Sequence, residues 1–220
     1  MMVGRVFPIS DYGYVSMGGS YLEDFRVVYN ALGIRAMMSF DSDAQVLSRQ
    51  LLNRPFGFIR CELGTSTEIV NQLAEKRAEL VPGEENIIIW LDYTSGDRAT
   101  QLADIEAVSR KLIAGDVLRV TLNAARQSLC KTESYQAAKI NNKIRHNTIE
   151  QVWLERLENQ LGKYFPASRR ATAVQSDAMF AQTLAQSVTA LHKTGFGLDL
   201  SWYFTLYLRL GILTVFKWSQ

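Results

Sequence analysis

Three features of the 220-residue sequence predict an α/β fold with a mostly parallel sheet covered by helices on both faces. Short apolar runs and amphipathic segments alternate five times with brief connections, the pattern of right-handed crossovers between parallel strands. Ile87-Ile88-Ile89-Trp90-Leu91 is a continuous apolar run of the kind expected of a parallel strand buried on both faces. Gly18-Gly19 separates the β-prone residues Tyr14, Val15 and Met17 from apolar residues at helical spacing (Leu22, Phe25, Val28, Tyr29, Leu32). Strand, glycine turn and helix follow one another there. Glycine lets a ligand approach the backbone, and a helix start offers free N–H groups.

The elements follow in order. Ser20 with Glu23 forms a capping-box pattern at the start of the first helix. Ile34 to Phe40 reads as a second strand ending at Asp41-Ser42-Asp43, and Ala44 to Leu52 as a short helix stopped by Asn53 and Pro55. Phe56 to Cys61 is a third strand. Thr65 or Ser66 caps a helix carrying Ile69, Val70, Leu73 and Leu80, which Pro82-Gly83 ends. The Ile87 run is the fourth strand, leading into Asp92-Tyr93-Thr94-Ser95-Gly96. A helix marked by Leu102, Ile105, Val108 and Leu112 closes at Gly115, before a fifth strand from Val117 to Leu122. The stretch Lys131 to His146 is polar and basic. Thr148 caps a helix with Ile149, Trp153, Leu157 and Leu161, and Gly162 ends it. Ser176 opens the last helix, with Phe180, Leu184, Val188 and Leu191. The tail, Leu198 to Val215, is rich in β-formers and punctuated by Gly211, which predicts a final antiparallel strand pair. The competing reading of the tail, a membrane span, is made expensive by Asp199 and Arg209.

Composition narrows the function. Two distant cysteines, Cys61 and Cys130, and two histidines make neither a disulfide framework nor a metal knuckle, and no metal site is expected. The N-terminus is short and weakly apolar for a secretory signal, so a reducing cytoplasm is the expected home. Residues 1–120 hold 12 Lys/Arg against 16 Asp/Glu, net −4, whereas residues 121–220 hold 12 against 6, net +6. The basic half, through Lys139, Lys143, Arg145, Arg169 and Arg170, is either a nucleic-acid contact or a solvated face.

In a parallel sheet the loops after the strands share one rim, and Gly18-Gly19, Asp41, Glu62 and Asp92 all fall there. Asp41 ends the second strand about twenty residues beyond the glycine pair, the position from which a carboxylate accepts two ribose hydroxyls. Asp43 is the alternative, and a helix cap is the competing role of Asp41. The phosphate loop Gly-x-x-x-x-Gly-Lys-Ser/Thr, the dinucleotide fingerprint and the Gly-x-Ser-x-Gly elbow are all missing.

Tyr14-Val-Ser-Met-Gly-Gly-Ser-Tyr-Leu-Glu-Asp24, Ser39-Phe-Asp41-Ser-Asp43, Arg49-Gln-Leu-Leu-Asn-Arg-Pro55 and Ile89-Trp-Leu-Asp-Tyr93 resemble blocks of class I S-adenosylmethionine-dependent methyltransferases. More narrowly they resemble the bacterial group described as "putative O-methyltransferases". The resemblance covers residues 10–125 and implies a Rossmann-like cofactor-binding core. It is followed by a basic helical insertion over 126–175 and by the last helix and terminal strands over 176–220, all in one domain. The resemblance further implies S-adenosylmethionine as cofactor. Met17, Gly18 and Gly19 would lie under its methionine part, Asp41 and Ser42 at its ribose, and Glu62 beside its adenine. Asp92 and Tyr93 would adjoin the methyl and the acceptor. The usual first motif carries a third glycine and a preceding acid, both missing from Ser16-Met17-Gly18-Gly19. The expected activity is methyl transfer to an unidentified acceptor, with oxygen a candidate. The alternatives are a non-catalytic ligand-sensing or protein-interaction module of the same fold, and a nucleic-acid methyltransferase using the basic insertion. The adenine-methylase signature Asp/Asn-Pro-Pro-Tyr/Phe is missing at Asp92.

Overall fold

The computed structural model describes residues 9–81, 86–195, 205–209 and 212–218. Five parallel strands form the sheet: β1 (Gly13–Ser16), β2 (Ala36–Asp41), β3 (Ile59–Leu63), β4 (Ile87–Tyr93) and β5 (Val117–Asn123). Their order is β3-β2-β1-β4-β5, and the register sets Ser16 level with Ser39 on one side and Trp90 on the other. Chain order reverses between β1 and β4. A crevice opens at the carboxyl ends of the strands at such a switch point, which is where open α/β sheets bind ligands.

Alternation along the strands feeds two cores. Val15, Met38, Phe40, Ile89, Leu91 and Val120 face one side, and Tyr14, Met37 and Ile59 the other, where they meet Phe25 of α1 (Glu23–Leu32). The first side is covered by α3 (Ser66–Asn71), α4 (Leu73–Leu80), α5 (Arg98–Ser109), α7 (Ile149–Leu161) and α8 (Asp177–Gly195). Trp153, Leu157 and Leu161 of α7 and Phe180 and Leu184 of α8 belong to that same core. The basic stretch before α7 holds α6 (Thr132–Ile140). No helix among the described residues is long and apolar enough to cross a membrane.

Several element bounds depart from the sequence expectations, each for a local reason. Ser20 does not cap α1. The chain turns through Gly18, Gly19 and Leu22, all at positive φ, and Leu22 takes the cap position without a side-chain hydrogen bond. β3 begins three residues later than expected, because Phe56 and Gly57 make a turn, with the Ile59 amide donating to the Phe56 carbonyl at 3.2 Å. Phe56 and Phe58 stack there with Tyr29 against them. The expected single helix after Thr65 is two, α3 and α4, broken at Gln72, though the Thr65–Glu68 capping box forms as the pattern implies. β4 runs two residues beyond its apolar core, so Asp92 and Tyr93 lie in the strand itself, and only alternate residues are fully buried. Thr148 and Ser176 cap α7 and α8 as read, each accepting a backbone amide. Pro82-Gly83, Asp199 and Gly211 lie outside the described residues.

Candidate functional site

A cleft of about 520 Å³ lies across the carboxyl ends of β1, β2, β3 and β4. That volume falls in the range of small-molecule sites, roughly 300–1,000 Å³. Met17, Gly18 and Gly19 line one wall, Asp41 and Ser42 another, and Asp92 and Tyr93 a third. Seven of the eight residues singled out from the sequence therefore meet in one cleft.

Glu62 is the exception. It lies within β3, one residue before its end, and its carboxylate pairs with Lys76 Nζ of α4 at 2.7 Å rather than facing the cleft. The wall assigned to it is made by Gly64, Thr65 and Ser66. The signal for these was Gly64 directly after the apolar strand, at the entrance of the capping box.

The glycine turn is shaped by sterics. At Gly18, φ +69°, an added Cβ would lie 2.6 Å from Leu22 Cδ2, 2.7 Å from Phe25 Cε2 and 2.7 Å from Ser39 Oγ. At Gly19, φ +55°, an added Cβ meets nothing within 4 Å. Gly18 is thus required by packing, while Gly19 presents bare backbone on the cleft side of the turn. Leu22, fully buried with φ 52°, holds a conformation β-carbon-bearing residues avoid. Such strain persists only where the surroundings over-determine it. Here the Leu22 amide donates to the Gly18 carbonyl at 3.2 Å and the Gly19 amide to the Met17 carbonyl at 2.9 Å.

Asp41 accepts the Asp43 amide at 2.8 Å through Oδ1, and Asp43 in turn caps α2 (Ala44–Asn53) by accepting the Gln45 amide at 2.7 Å. Asp43 is the helix cap, and Asp41 lines the cleft.

Asp92 is exposed to the cleft at the end of β4. Partial burial pushes its carboxyl pKa up from the ordinary carboxylate range, the Arg119 guanidinium pulls it back and Asp24 pushes it further up. Asp24 itself accepts the Tyr14 hydroxyl at 2.7 Å. Arg119 stacks 3.5 Å from the centre of the Trp90 ring. A smaller cavity of about 250 Å³ adjoins the cleft here, sharing Gly18, Gly19, Ser20 and Asp92 with it.

Tyr93 lines the same cleft, next to Asp92. Its ring is buried and its hydroxyl donates to Asp104 at 2.9 Å. Burial, reinforced by the Asp104 charge, pushes the phenol pKa far up. It can shape the wall but has no free hydroxyl for proton transfer. Asp104 also accepts the hydroxyls of Ser66 and Thr67, the latter at 2.7 Å, tying α3 and the β4 wall to α5. The loop after β4 is further held by Arg98, a fully buried guanidinium whose pKa burial lowers to about 10. It donates to the Ser95 carbonyl at 2.8 Å, to the Asn123 carbonyl and to Ser128 Oγ at 2.9 Å.

Three of the five basic residues proposed for nucleic acid are engaged internally. Lys139 donates to the His146 and Asn147 carbonyls, Arg169 to Gln182 and Gln186, and Arg170 pairs with Glu158. Lys143 and Arg145 are exposed.

Comparison with known proteins bears on what this cleft serves. No curated protein matches the chain. Among solved structures, the Methanococcus jannaschii fibrillarin pre-rRNA processing protein aligns at 12% identity over 97% of this chain and 69% of its own, with a TM-score of 0.47. Human N-acetylserotonin methyltransferase, in complex with SAM, aligns at 10% identity over 99% of this chain and 50% of its own, with a TM-score of 0.44. The family model described as "Putative O-methyltransferase" matches residues 1–195. Taken with the glycine turn and Asp41 on one cleft, this match makes the chain a member of that family, within the class I S-adenosylmethionine-dependent methyltransferases.

Proposed function

We propose that the protein transfers the methyl group of S-adenosylmethionine to an acceptor bound beside Asp92, with an acceptor oxygen as the family description suggests. The observation that carries this reading is the joint lining of one cleft by Gly18-Gly19, Asp41 and Asp92. Each element suits a part of the cofactor. Asp41 has a carboxylate oxygen left for ribose hydroxyls, with Ser42 beside it. The turn at Met17, Gly18 and Gly19 offers backbone unobstructed by a Cβ at Gly19. When bound, the cofactor supplies a methyl on a positive sulfonium, already activated for attack.

The chain's own work is to bind, orient and move one proton. Proximity and alignment of the nucleophile provide much of the acceleration in such a transfer. Asp92, exposed to the cleft and raised in pKa, accepts the proton of the acceptor as the new bond forms. Tyr93, locked onto Asp104, fixes the end of β4 and so the place of Asp92. We further infer that Thr205–Arg209 and Ile212–Trp218 complete the sheet as its terminal antiparallel pair. The reading is supported by the register of Ile212 opposite Asn123 and Trp218 opposite Val117.

The experiment is a melting and calorimetric titration with S-adenosylmethionine and S-adenosylhomocysteine, followed by release of S-adenosylhomocysteine on incubation with cell extract as a pooled acceptor source. Binding raises the melting temperature by mass action, and Asp41→Ala removes most of that rise. No heat and no shift with either ligand at millimolar concentration would sink the proposal. Binding without turnover in any extract would leave a ligand-sensing module in its place.

A further inference from the structure

The block Arg49 to Pro55 was singled out in the sequence, yet none of its residues touches the cleft described above. Two of its side chains nevertheless reach the glycine turn. Gln50 Nε2 donates to the Met17 carbonyl at 3.0 Å, and Asn53 Nδ2 donates to the Ser20 carbonyl at 3.1 Å. The residues are three apart on α2, so both project from one face of the helix. Their acceptors flank Gly18-Gly19 on either side.

Three further observations set these contacts apart from ordinary surface hydrogen bonds. Gln50 is the only fully buried residue of α2, at 0% exposure, while Leu51 and Leu52 are exposed at 47% and 84%. Polar contacts therefore contribute unusually much to seating this helix. Second, Gln50 Oε1 is buried without a hydrogen-bond partner among the described residues. Leaving a buried acceptor unpaired is destabilising, so stability alone does not favour a glutamine here. The amide cannot be turned round, because Oε1 would then face the Met17 carbonyl. Third, the turn it holds contains three left-handed residues, Gly18, Gly19 and Leu22, a conformation that needs outside support.

We infer that Gln50 and Asn53 are positioning residues for cofactor binding, clamping the two carbonyls that flank Gly18-Gly19 so that the turn presents its backbone to the cleft. The inference rests on the function proposed above. The same helix is capped by Asp43, whose amide Asp41 accepts, so α2 joins the ribose end of the cleft to the glycine turn.

The test separates affinity from stability. Gln50→Met removes the donor to Met17 together with the orphaned oxygen, and Asn53→Asp replaces a donor by an acceptor of the same shape. Titration of each variant with S-adenosylhomocysteine is expected to show affinity reduced tenfold or more. The ligand-free melting temperature of Gln50→Met should change by no more than a few degrees, because the Met17 carbonyl keeps the Gly19 amide and the orphaned oxygen leaves with the donor. A residue with a structural role alone would lose both together, so a parallel fall in melting temperature and affinity overturns the inference. Wild-type affinity in both variants overturns it equally. If Gln50→Met does not fold, Asn53→Asp decides by the same split. A wild-type protein that binds neither S-adenosylmethionine nor S-adenosylhomocysteine overturns the function proposed above as well, whereas wild-type binding with unaltered variants overturns this inference alone.

Discussion

Replacing the two neighbouring glycines of the turn by alanine should have very different consequences. Both lie at positive φ, +69° and +55°, so each substitution carries the left-handed backbone cost of an L-residue. That cost is about 1–2 kcal/mol and is similar for the two. The steric terms differ. At Gly18 the new methyl would come within 2.7 Å or less of three side-chain atoms, on Leu22, Phe25 and Ser39. All three residues are fully buried and none can swing into solvent. Forcing a methyl into such a site costs a further 1–3 kcal/mol or so. At Gly19 it meets nothing within 4 Å. Gly18→Ala should therefore lose roughly 2–5 kcal/mol and Gly19→Ala about 1–2 kcal/mol. For a chain of this size each kcal/mol lowers the melting temperature by about 2–4 °C, so Gly18→Ala should melt roughly 4–20 °C lower. Gly19→Ala should melt only roughly 2–8 °C lower but bind S-adenosylhomocysteine more weakly, because its methyl covers backbone on the cleft. The assay is thermal and urea denaturation of the ligand-free proteins, with a calorimetric titration of each. Equal stability of the two variants would refute the argument, since only the close contacts around Gly18 distinguish them.

Three other predictions concern Asp92 and Asp104. Burial favours the neutral form of Asp92, so the base-active carboxylate appears only above the ordinary carboxylate range, and the acidic limb of the pH–rate profile should be displaced upward. Asp24→Asn, which removes a neighbouring negative charge, should move that limb down, and Arg119→Met should move it up; a limb indifferent to both would exclude Asp92 as the titrating group. Asp92→Asn should lower turnover about a hundredfold or more with little change in cofactor affinity, measured as S-adenosylhomocysteine release. Asp104→Ala strands three hydroxyls, those of Ser66, Thr67 and Tyr93, so denaturation should show a loss of about 3 kcal/mol or more; a loss below 1 kcal/mol or so would mean that the network does not secure the cleft wall.

The class of the fold and the rim that carries the site were legible from the sequence because both depend on local patterns. Alternating apolar runs and amphipathic segments define strands and helices by periodicity alone, and right-handed crossovers then place every strand end on one edge. Gly18-Gly19, Asp41 and Asp92 could be assigned to that edge without knowing their neighbours. What depends on side-chain direction could not be read in this way. Glu62 pairs with Lys76 of α4 instead of lining the cleft, a contact between two elements that strand periodicity does not carry. The Tyr93 hydroxyl is taken by Asp104, which is eleven residues away in sequence and on another element. Ser20 and Glu23 fit a capping box by spacing, but Leu22 caps α1 because the buried contacts around Gly18 dictate the turn. Gln50 stands in the sequence within the block Arg49 to Pro55 with no role attached to it. Only the tertiary structure places it against the Met17 carbonyl, 33 residues away, because a contact across that distance leaves no period or spacing in the chain.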